Sequence, residues 1–209
     1  MKKVIAVAFL CFLGLNQVNA QVTFKPGLRA GANFAHFTQI EDPNQKFSSL
    51  TDVYLGVFGA LKVSKVYTLQ PEITYSRQGS KSQYISPIDN NTYNRTIKNS
   101  YISIAAINKF SFNKFSFIVG PSIDIRVSDT GKQLGQAYDN NNYYDGYYNG
   151  VTSFNGVDLA FTAGLGYDIT PNFGIEARIK KGIIPVDSNN WDYTNVVFSV
   201  GGTYTFDLK

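Results

Sequence analysis

Hydrophobic and polar residues alternate strictly over several long segments of this chain. From Val157 to Ile169 the odd positions are apolar and the even positions are polar or small. Eight segments show this alternation: residues 24–36, 51–63, 66–79, 99–111, 115–127, 153–169, 173–184 and 192–208. Successive side chains of a β-strand point to opposite faces, so each segment has one apolar and one polar face. The pattern predicts eight amphipathic strands.

The predicted strands are long, and short and long connections alternate between them. Soluble sheets usually have strands of about 5–6 residues, whereas a tilted membrane strand needs about 9–11 in the hydrocarbon. The short connections are residues 64–65, 112–114 and 170–172, and the long ones are 37–50, 80–98, 128–152 and 185–191. Outer-membrane barrels have short periplasmic turns and longer external loops. The chain is therefore predicted to be all-β, an eight-stranded antiparallel up-and-down transmembrane β-barrel with periplasmic termini.

Aromatic residues collect at the turn or terminal ends of the predicted strands, on the apolar face. They are Phe24, Tyr67, Phe110, Phe115, Tyr167, Phe173 and Phe206. Such a girdle at one membrane interface is typical of outer-membrane barrels. The alternative is a soluble periplasmic ligand-binding barrel, in which the apolar face would point inward.

The N-terminus has the features of a secretory signal. Two lysines precede the apolar run 4–15, which is too short to span a bilayer as a helix, and small residues precede a cleavage site after Ala20. The sequence predicts a cleaved signal peptide at residues 1–20 and a barrel domain at residues 21–209. The predicted mature chain has no cysteine and a net charge of +2, with no concentrated basic patch. These features exclude a disulfide framework and give no indication of nucleic-acid binding.

Several stretches of the chain resemble one known family. They are "PGLRAGANFAHF" (26–37), "LQPEITYSRQGSK" (69–81), "YISIAAINKFSF" (101–112), "FIVGPSIDI" (117–125) and the terminal "GGTYTFDLK". In this order they resemble the small outer-membrane β-barrel domain family that includes PorT-like proteins. The resemblance implies an eight-stranded barrel in a Gram-negative outer membrane, although members are functionally diverse. Ser103 and Ala105 depart from the family, which often has Glu and Pro there.

Two further features follow from this resemblance. Pro71 and Pro121 lie inside predicted strands, where bulges are expected because proline lacks an N–H. Gly201, Tyr204 and Phe206 look like the signal that barrel-assembly machinery reads on a last strand, although the chain ends in Lys209 rather than an aromatic residue. Assembly machinery and outer-membrane lipid are therefore expected partners.

Charged residues lie on the predicted polar face, which faces the lumen. They include Arg29, Glu72, Asp124, Arg126, Asp158, Glu176, Arg178 and Lys180. Side chains can fill the interior of an eight-stranded barrel, and buried charges are costly unless paired. We expect an ion-pair network in which Arg29 and Arg178 face Glu72 and Glu176. The alternative is a narrow conduit or proton path.

The longest predicted external loop is rich in tyrosine and asparagine. It contains "YDNNNYYDGYYNG", with Tyr138, Tyr143, Tyr144, Tyr147 and Tyr148. Tyrosine gives a large contact area at low entropic cost, and asparagine and glycine adapt, as in binding loops. Residues 83–96 have a similar composition. These loops are interpreted either as a surface that binds protein or glycan, or as a solvated cap.

Catalytic and metal-binding signals are weak. His36 is the single histidine, and nothing near it in sequence resembles the nucleophile motif of a lipid A-modifying hydrolase. A calcium loop starting at Asp139 fails, because Tyr143 and Gly150 occupy ligand positions. We expect no metal and no cofactor. The sequence favours a non-enzymatic envelope structural, adhesion or secretion-assembly component of the outer membrane; the functional alternatives are a lipid A-modifying enzyme and a soluble ligand-binding barrel.

Overall fold

The computed structural model describes residues 22–38, 43–87, 90–129, 155–186 and 193–207, and these residues form nine β-strands. The strands are β1 (Thr23–Phe37), β2 (Gln45–Ser48), β3 (Leu50–Lys62), β4 (Tyr67–Ile85), β5 (Thr92–Phe112), β6 (Phe115–Asp129), β7 (Val157–Asp168), β8 (Phe173–Gly182) and β9 (Asn195–Thr205). No helix in the described part of the chain is long and apolar enough to cross a membrane.

Eight of these strands close into one antiparallel ring. β1 pairs with β3, and β3 to β9 then pair in chain order. The ring closes where β9 pairs with β1, from Gly27↔Thr205 to Phe37↔Asn195. β2 lies just before β3 in the chain and pairs with the external end of β4, so it extends one wall of the ring. The prediction of an eight-stranded antiparallel barrel is confirmed.

The ring turns its apolar face outward. In β3, exposed Val53, Leu55 and Val57 alternate with buried Tyr54 and Phe58, and every barrel strand has exposed large apolar residues. Removing so much apolar surface from water is strongly favourable, and a surrounding lipid bilayer does this. Because most of the buried residues are instead polar or charged, the alternative of a soluble barrel with an apolar interior is wrong.

The aromatic girdle surrounds the end of the barrel that carries the short turns. The Tyr67 ring lies 5.4 Å from that of Phe110, and the Phe115 ring lies 4.9 Å from that of Tyr167. The turn between β5 and β6 is tight, and Asn113 adopts a positive φ of 56° there. Asparagine tolerates this left-handed conformation better than other residues with a Cβ.

The prediction of a second external loop at residues 80–98 is wrong, because most of these residues form β-strand. β4 continues to Ile85 and β5 begins at Thr92, with continuous pairing from Gly79↔Lys98 to Ile85↔Thr92. Both faces of this β4–β5 extension are largely polar. Apolar and polar residues therefore do not alternate along it, and the usual sequence pattern of a strand is missing. The hairpin projects beyond the apolar belt, where water replaces lipid and strands need no apolar face. β2 likewise lies within the predicted loop 37–50.

The prediction of bulges at Pro71 and Pro121 is also wrong. The register of β3 with β4 is the same on both sides of Pro71, although the ladder is interrupted there. The same holds for β5 with β6 around Pro121. Each proline remains paired with its other neighbour, Ala106 or Phe161. A missing N–H therefore interrupts one ladder without adding a residue. The register shift of β6 lies elsewhere, opposite the step from residue 100 to residue 101.

Candidate functional site

Four charged side chains form a compact ion-pair cluster across the lumen. Arg178 on β8 makes a bidentate pair with Glu72 on β4, with both N···O distances 2.8 Å. Arg29 on β1 binds Glu176 on β8, with Nη2···Oε1 at 2.7 Å. The two pairs are joined by Arg29 Nη1 to Glu72 Oε2 at 3.0 Å and by Arg178 Nη2 to Glu176 Oε2 at 2.8 Å. All four residues are buried. Charges balance, and each carboxylate accepts from both guanidinium groups.

Neighbouring small and neutral residues complete the cluster. Gln70 Nε2 donates to Glu72 Oε1 at 2.7 Å. The Arg29 guanidinium lies over the Tyr54 ring, 4.7 Å from its centroid, in cation–π geometry. The ring fits because Gly201 faces it, since a Cβ at that position would lie 2.2 Å from the Tyr54 hydroxyl oxygen. A glycine on β9 thus makes room for the aromatic side chain that supports the cluster.

The other predicted lumen charges lie nearer the external end and form separate contacts. Lys180 forms an ion pair with Asp124, which also accepts a hydrogen bond from Ser103. Asp158 is buried opposite Asp124 and accepts from the Ile184 backbone N–H at 3.1 Å. Arg126 is half-buried opposite Tyr101 on β5. The structure thus brings Arg29, Glu72, Glu176 and Arg178 into one cluster and keeps Asp124, Arg126, Asp158 and Lys180 outside it.

An aromatic and aliphatic cap covers the external end of the lumen. It consists of Phe37, Phe47, Ile97, Val186 and Tyr193. The Phe47 ring lies 4.9 Å from that of Tyr193 and 5.6 Å from that of Phe37. Tyr193 also donates to Gln45 Oε1 at 3.1 Å. The sequence analysis missed this cap, although Phe37 and Ile97 have the inward parity of their strands and are large apolar residues near inward polar ones such as Asn33 and Asn99.

A small cavity adjoins the ion-pair cluster inside the lumen. The cavity beside the cluster has a volume of about 40 Å³ and is lined by Tyr54, Ser122 and Arg178 among others. About 10–15 Å³ of such space is enough to hold one water molecule, so this cavity has room for only a few waters. Wider water-filled lumens belong to barrels of about 16–18 strands.

The periplasmic mouth is open and polar. A basin of about 390 Å³ extends from the turns down to Gln70 and Glu176, and Lys62 and Lys109 line its wall. Lys109 Nζ donates to Asp168 Oδ1 at 3.3 Å. Solvent can therefore reach one side of the ion-pair cluster from this mouth.

The residues of the predicted assembly signal lie at the periplasmic end of β9. Tyr204 and Phe206 are exposed on the outer surface, with ring centroids 5.1 Å apart. Just beyond them, hydrogen bonds from Lys25 and Asn172 hold the pKa of Asp207 below its ordinary value. Gly201 lies on β9 itself and faces Tyr54 rather than lipid.

Some of the predicted features lie outside the described residues, and His36 is not part of either charged group described above. The tyrosines Tyr138, Tyr143, Tyr144, Tyr147 and Tyr148 lie outside the described residues, as does the signal peptide at residues 1–20. His36 is half-buried at the external end of β1, opposite Val196. Among the described residues, no three or more His, Cys, Asp or Glu side chains are placed to hold a metal ion.

Comparisons with known proteins agree with this architecture. The model of a family described as "Outer membrane protein beta-barrel domain" matches residues 19–188. The crystal structure of Neisserial surface protein A is 14% identical and has a TM-score of 0.51; the match covers 87% of this chain and 97% of that one. No significant match is found among curated proteins.

Two further solved structures are similar at lower scores. OprG from Pseudomonas aeruginosa is 10% identical with a TM-score of 0.48, and the match covers 92% of this chain and 100% of that one. Ail, the attachment invasion locus protein of Yersinia pestis, is 14% identical with a TM-score of 0.46, and the match covers 87% and 98%. At such identities the likeness to Neisserial surface protein A concerns the fold alone.

Proposed function

Because the chain belongs to the family of outer-membrane protein β-barrel domains, we propose that it is a non-enzymatic, non-conducting member of that family. The barrel lies in the outer membrane with its apolar face toward lipid. In our proposal it anchors the external β2–β4–β5 sheet and the adjoining loops at the cell surface. Its role is then that of an envelope structural, adhesion or secretion-assembly component.

The buried ion-pair cluster is the observation that carries this proposal. Its four side chains span the lumen from β1 and β4 to β8, and their charges are mutually satisfied. A hydrated ion would have to break several charge-assisted hydrogen bonds to pass, and these are among the strongest in proteins. The apolar cap then presents a second barrier on the external side. Together these features favour an anchor over a channel.

The position of His36 also supports a non-enzymatic role. A Ser–His hydrolase needs the base within hydrogen-bond reach of its nucleophile. Among the described residues, the His36 side chain forms no hydrogen bond, and its strand neighbour is Val196.

The purified, folded protein is expected to give no conductance steps in a planar lipid bilayer. A porin of 16 strands, inserted in the same way, would confirm that steps can be detected. Insertion of this protein is checked separately, by its resistance to external protease. Conductance steps whose ion selectivity changes when Glu72→Gln is introduced would show that ions pass through the lumen, and the proposal would be wrong.

Replacing Tyr143, Tyr144, Tyr147 and Tyr148 together with serine is expected to abolish partner capture at the cell surface. Serine removes the large contact area that tyrosine provides and keeps the loop polar. The measurement is crosslinking on intact cells followed by mass spectrometry. The matched control replaces Asn140, Asn141, Asn142 and Asn149 of the same stretch with serine, which removes little contact area. If the crosslinked partners of the four-fold variant equal those of the wild type, the loop is not the binding surface.

We also propose that the barrel-assembly machinery acts on β9 during biogenesis. Tyr204 and Phe206 project outward at the periplasmic end, the side from which that machinery approaches. Gly201, by contrast, serves the packing of Tyr54.

A further inference from the structure

A row of basic side chains crosses the outer face of the external β2–β4–β5 sheet. Its members are Lys46, Lys81, Lys98 and Arg77. Each has the outward parity of its strand, because the neighbouring residues Gln45, Ser80, Ile97 and Gln78 are buried on the inner side. Lysines 46, 81 and 98 are exposed and Arg77 is half-buried. We call these four residues the basic row.

Strand register makes the basic row continuous. Lys46 lies opposite Gln83 on β4, two residues from Lys81. Lys81 lies opposite Thr96 on β5, two residues from Lys98. Diagonal neighbours of this kind are about 7–8 Å apart, within reach of long side chains.

The row continues down to the apolar belt. Lys98 lies opposite Gly79, two residues from Arg77, which forms an ion pair with Asp52 at 3.3 Å. Arg77 is in turn two residues from Tyr75, an exposed residue of the lipid-facing surface. Each step of the row therefore moves about 7 Å along the strand direction, from the outer end of the sheet toward lipid.

A shallow groove lies along the outer half of the row. It has a volume of about 500 Å³ and is lined by residues 46–48, 81–83 and 94–96. No carboxylate lines it, while Lys46 and Lys81 both do. Neither lysine forms an ion pair within the described part of the chain. Ser48, Gln83, Asn94 and Thr96 add hydroxyl and amide donors.

The basic row is confined to one side of the barrel. At the external ends of the other strands, outward residues are mainly apolar, including Phe34, Val127, Val157 and Phe198. Lys181 on β8 is the other outward cation at this level among the described residues. A general solubilising charge would be spread around the circumference, whereas the cations of the basic row lie in register along one sheet, which favours a ligand of opposite charge.

We propose that the basic row binds the phosphate groups of an anionic glycolipid in the outer leaflet. The ligand class is a lipid A-type molecule, whose acyl chains pack beside Ile73 and Tyr75 while its phosphates contact Arg77, Lys98 and Lys81, the three cations of the row that lie nearest to lipid. The row reaches the lipid-facing surface, with Arg77 and Lys98 just above exposed Tyr75, at the level of the lipid headgroups. This position favours a membrane lipid over a soluble ligand. Basic residues next to a membrane attract anionic headgroups in this way. The inference does not depend on a closed lumen or on the tyrosine loop.

The test is native mass spectrometry of the whole mature protein, folded in detergent and titrated with lipid A carrying two phosphates. The probe is compared with the same lipid A after enzymatic removal of both phosphates. The triple variant Arg77→Gln, Lys81→Gln, Lys98→Gln is expected to bind the phosphorylated probe about a hundredfold more weakly, at about fivefold per cation. The wild type is expected to bind the dephosphorylated probe with a similar loss.

The control variant carries Lys62→Gln, Lys65→Gln and Lys114→Gln, three exposed lysines at the periplasmic end. It changes the net charge equally and is expected to bind like the wild type. Both variants are first checked for the heat-dependent gel shift of a folded barrel. An equal loss in both triple variants, or equal binding of both lipid probes, would overturn the proposal.

A soluble sulfated polysaccharide serves as a second probe in the same titration. Binding of this polymer that is lost in the first triple variant, with lipid A binding unchanged, would assign the row to an external glycan and would also overturn the proposal.

Discussion

Replacing Arg178 with alanine is expected to lower the free energy of unfolding by about 3–5 kcal/mol, because it leaves two buried carboxylates to share the single guanidinium of Arg29. Arg178 donates to both Glu72 and Glu176, and its side chain is 5% exposed. The barrel cannot collapse to cover these carboxylates, since they are fixed on strands of a closed ring. Urea unfolding in lipid vesicles, followed by gel mobility of unboiled samples, measures the change.

Arg77→Ala is the matched control for this prediction. Arg77 also pairs with a carboxylate, Asp52, but its side chain is 42% exposed. Exposed pairs contribute about 0–1 kcal/mol, so a small loss is expected. If both arginine variants lost stability by the same small amount, the cluster would not contribute what its burial implies.

Replacing Ile73 with arginine is expected to cost about 2–4 kcal/mol, the cost of a basic residue on the lipid face near the bilayer midplane. Ile73 is exposed on β4, between Tyr67 in the periplasmic girdle and Arg77 at the external edge of the apolar belt. Its strand neighbours Val57 and Ile104 are also exposed and apolar, so no nearby group can pair with the new charge.

Val66→Arg provides the depth control. Val66 is exposed in the periplasmic turn between β3 and β4, where the cost falls to about 0–1 kcal/mol. The same unfolding assay is used for both variants. Equal stability of the Ile73 and Val66 variants would mean that Ile73 does not face hydrocarbon.

The sequence predicted the membrane strands well because a single physical constraint acts on all of them. Within the bilayer one face meets lipid and the other meets the lumen, so Val53, Leu55 and Val57 alternate with inward residues without interruption. The ion-pair cluster could be anticipated for a related reason: an eight-stranded barrel has no room to leave Glu72 or Arg178 solvated.

Outside the bilayer that constraint disappears, and prediction from the sequence fails there. Ser80 and Gln83 alternate between inner and outer faces like any strand residues, but both are polar, so the segment looked like a loop. The prediction of bulges at the prolines was wrong for a different reason. Pro71 fits into strands whose register is unchanged, because it loses backbone pairing with β3 only.

The basic row could not be found from sequence spacing. Lys46 and Lys81 become neighbours only because β2 pairs with β4, and β2 itself lay within a predicted loop. Strand register is set by the whole ring, and a shift of one residue would move these side chains to the other face. The role of the predicted tyrosine loop stays a prediction.

The most direct test of the barrel in the membrane is gel mobility of the protein from outer-membrane fractions, compared before and after boiling. A closed barrel resists detergent until heated, so we expect the protein in that fraction with a shift in mobility on boiling. A soluble periplasmic protein whose mobility does not change on boiling would contradict the assignment of the apolar face to lipid.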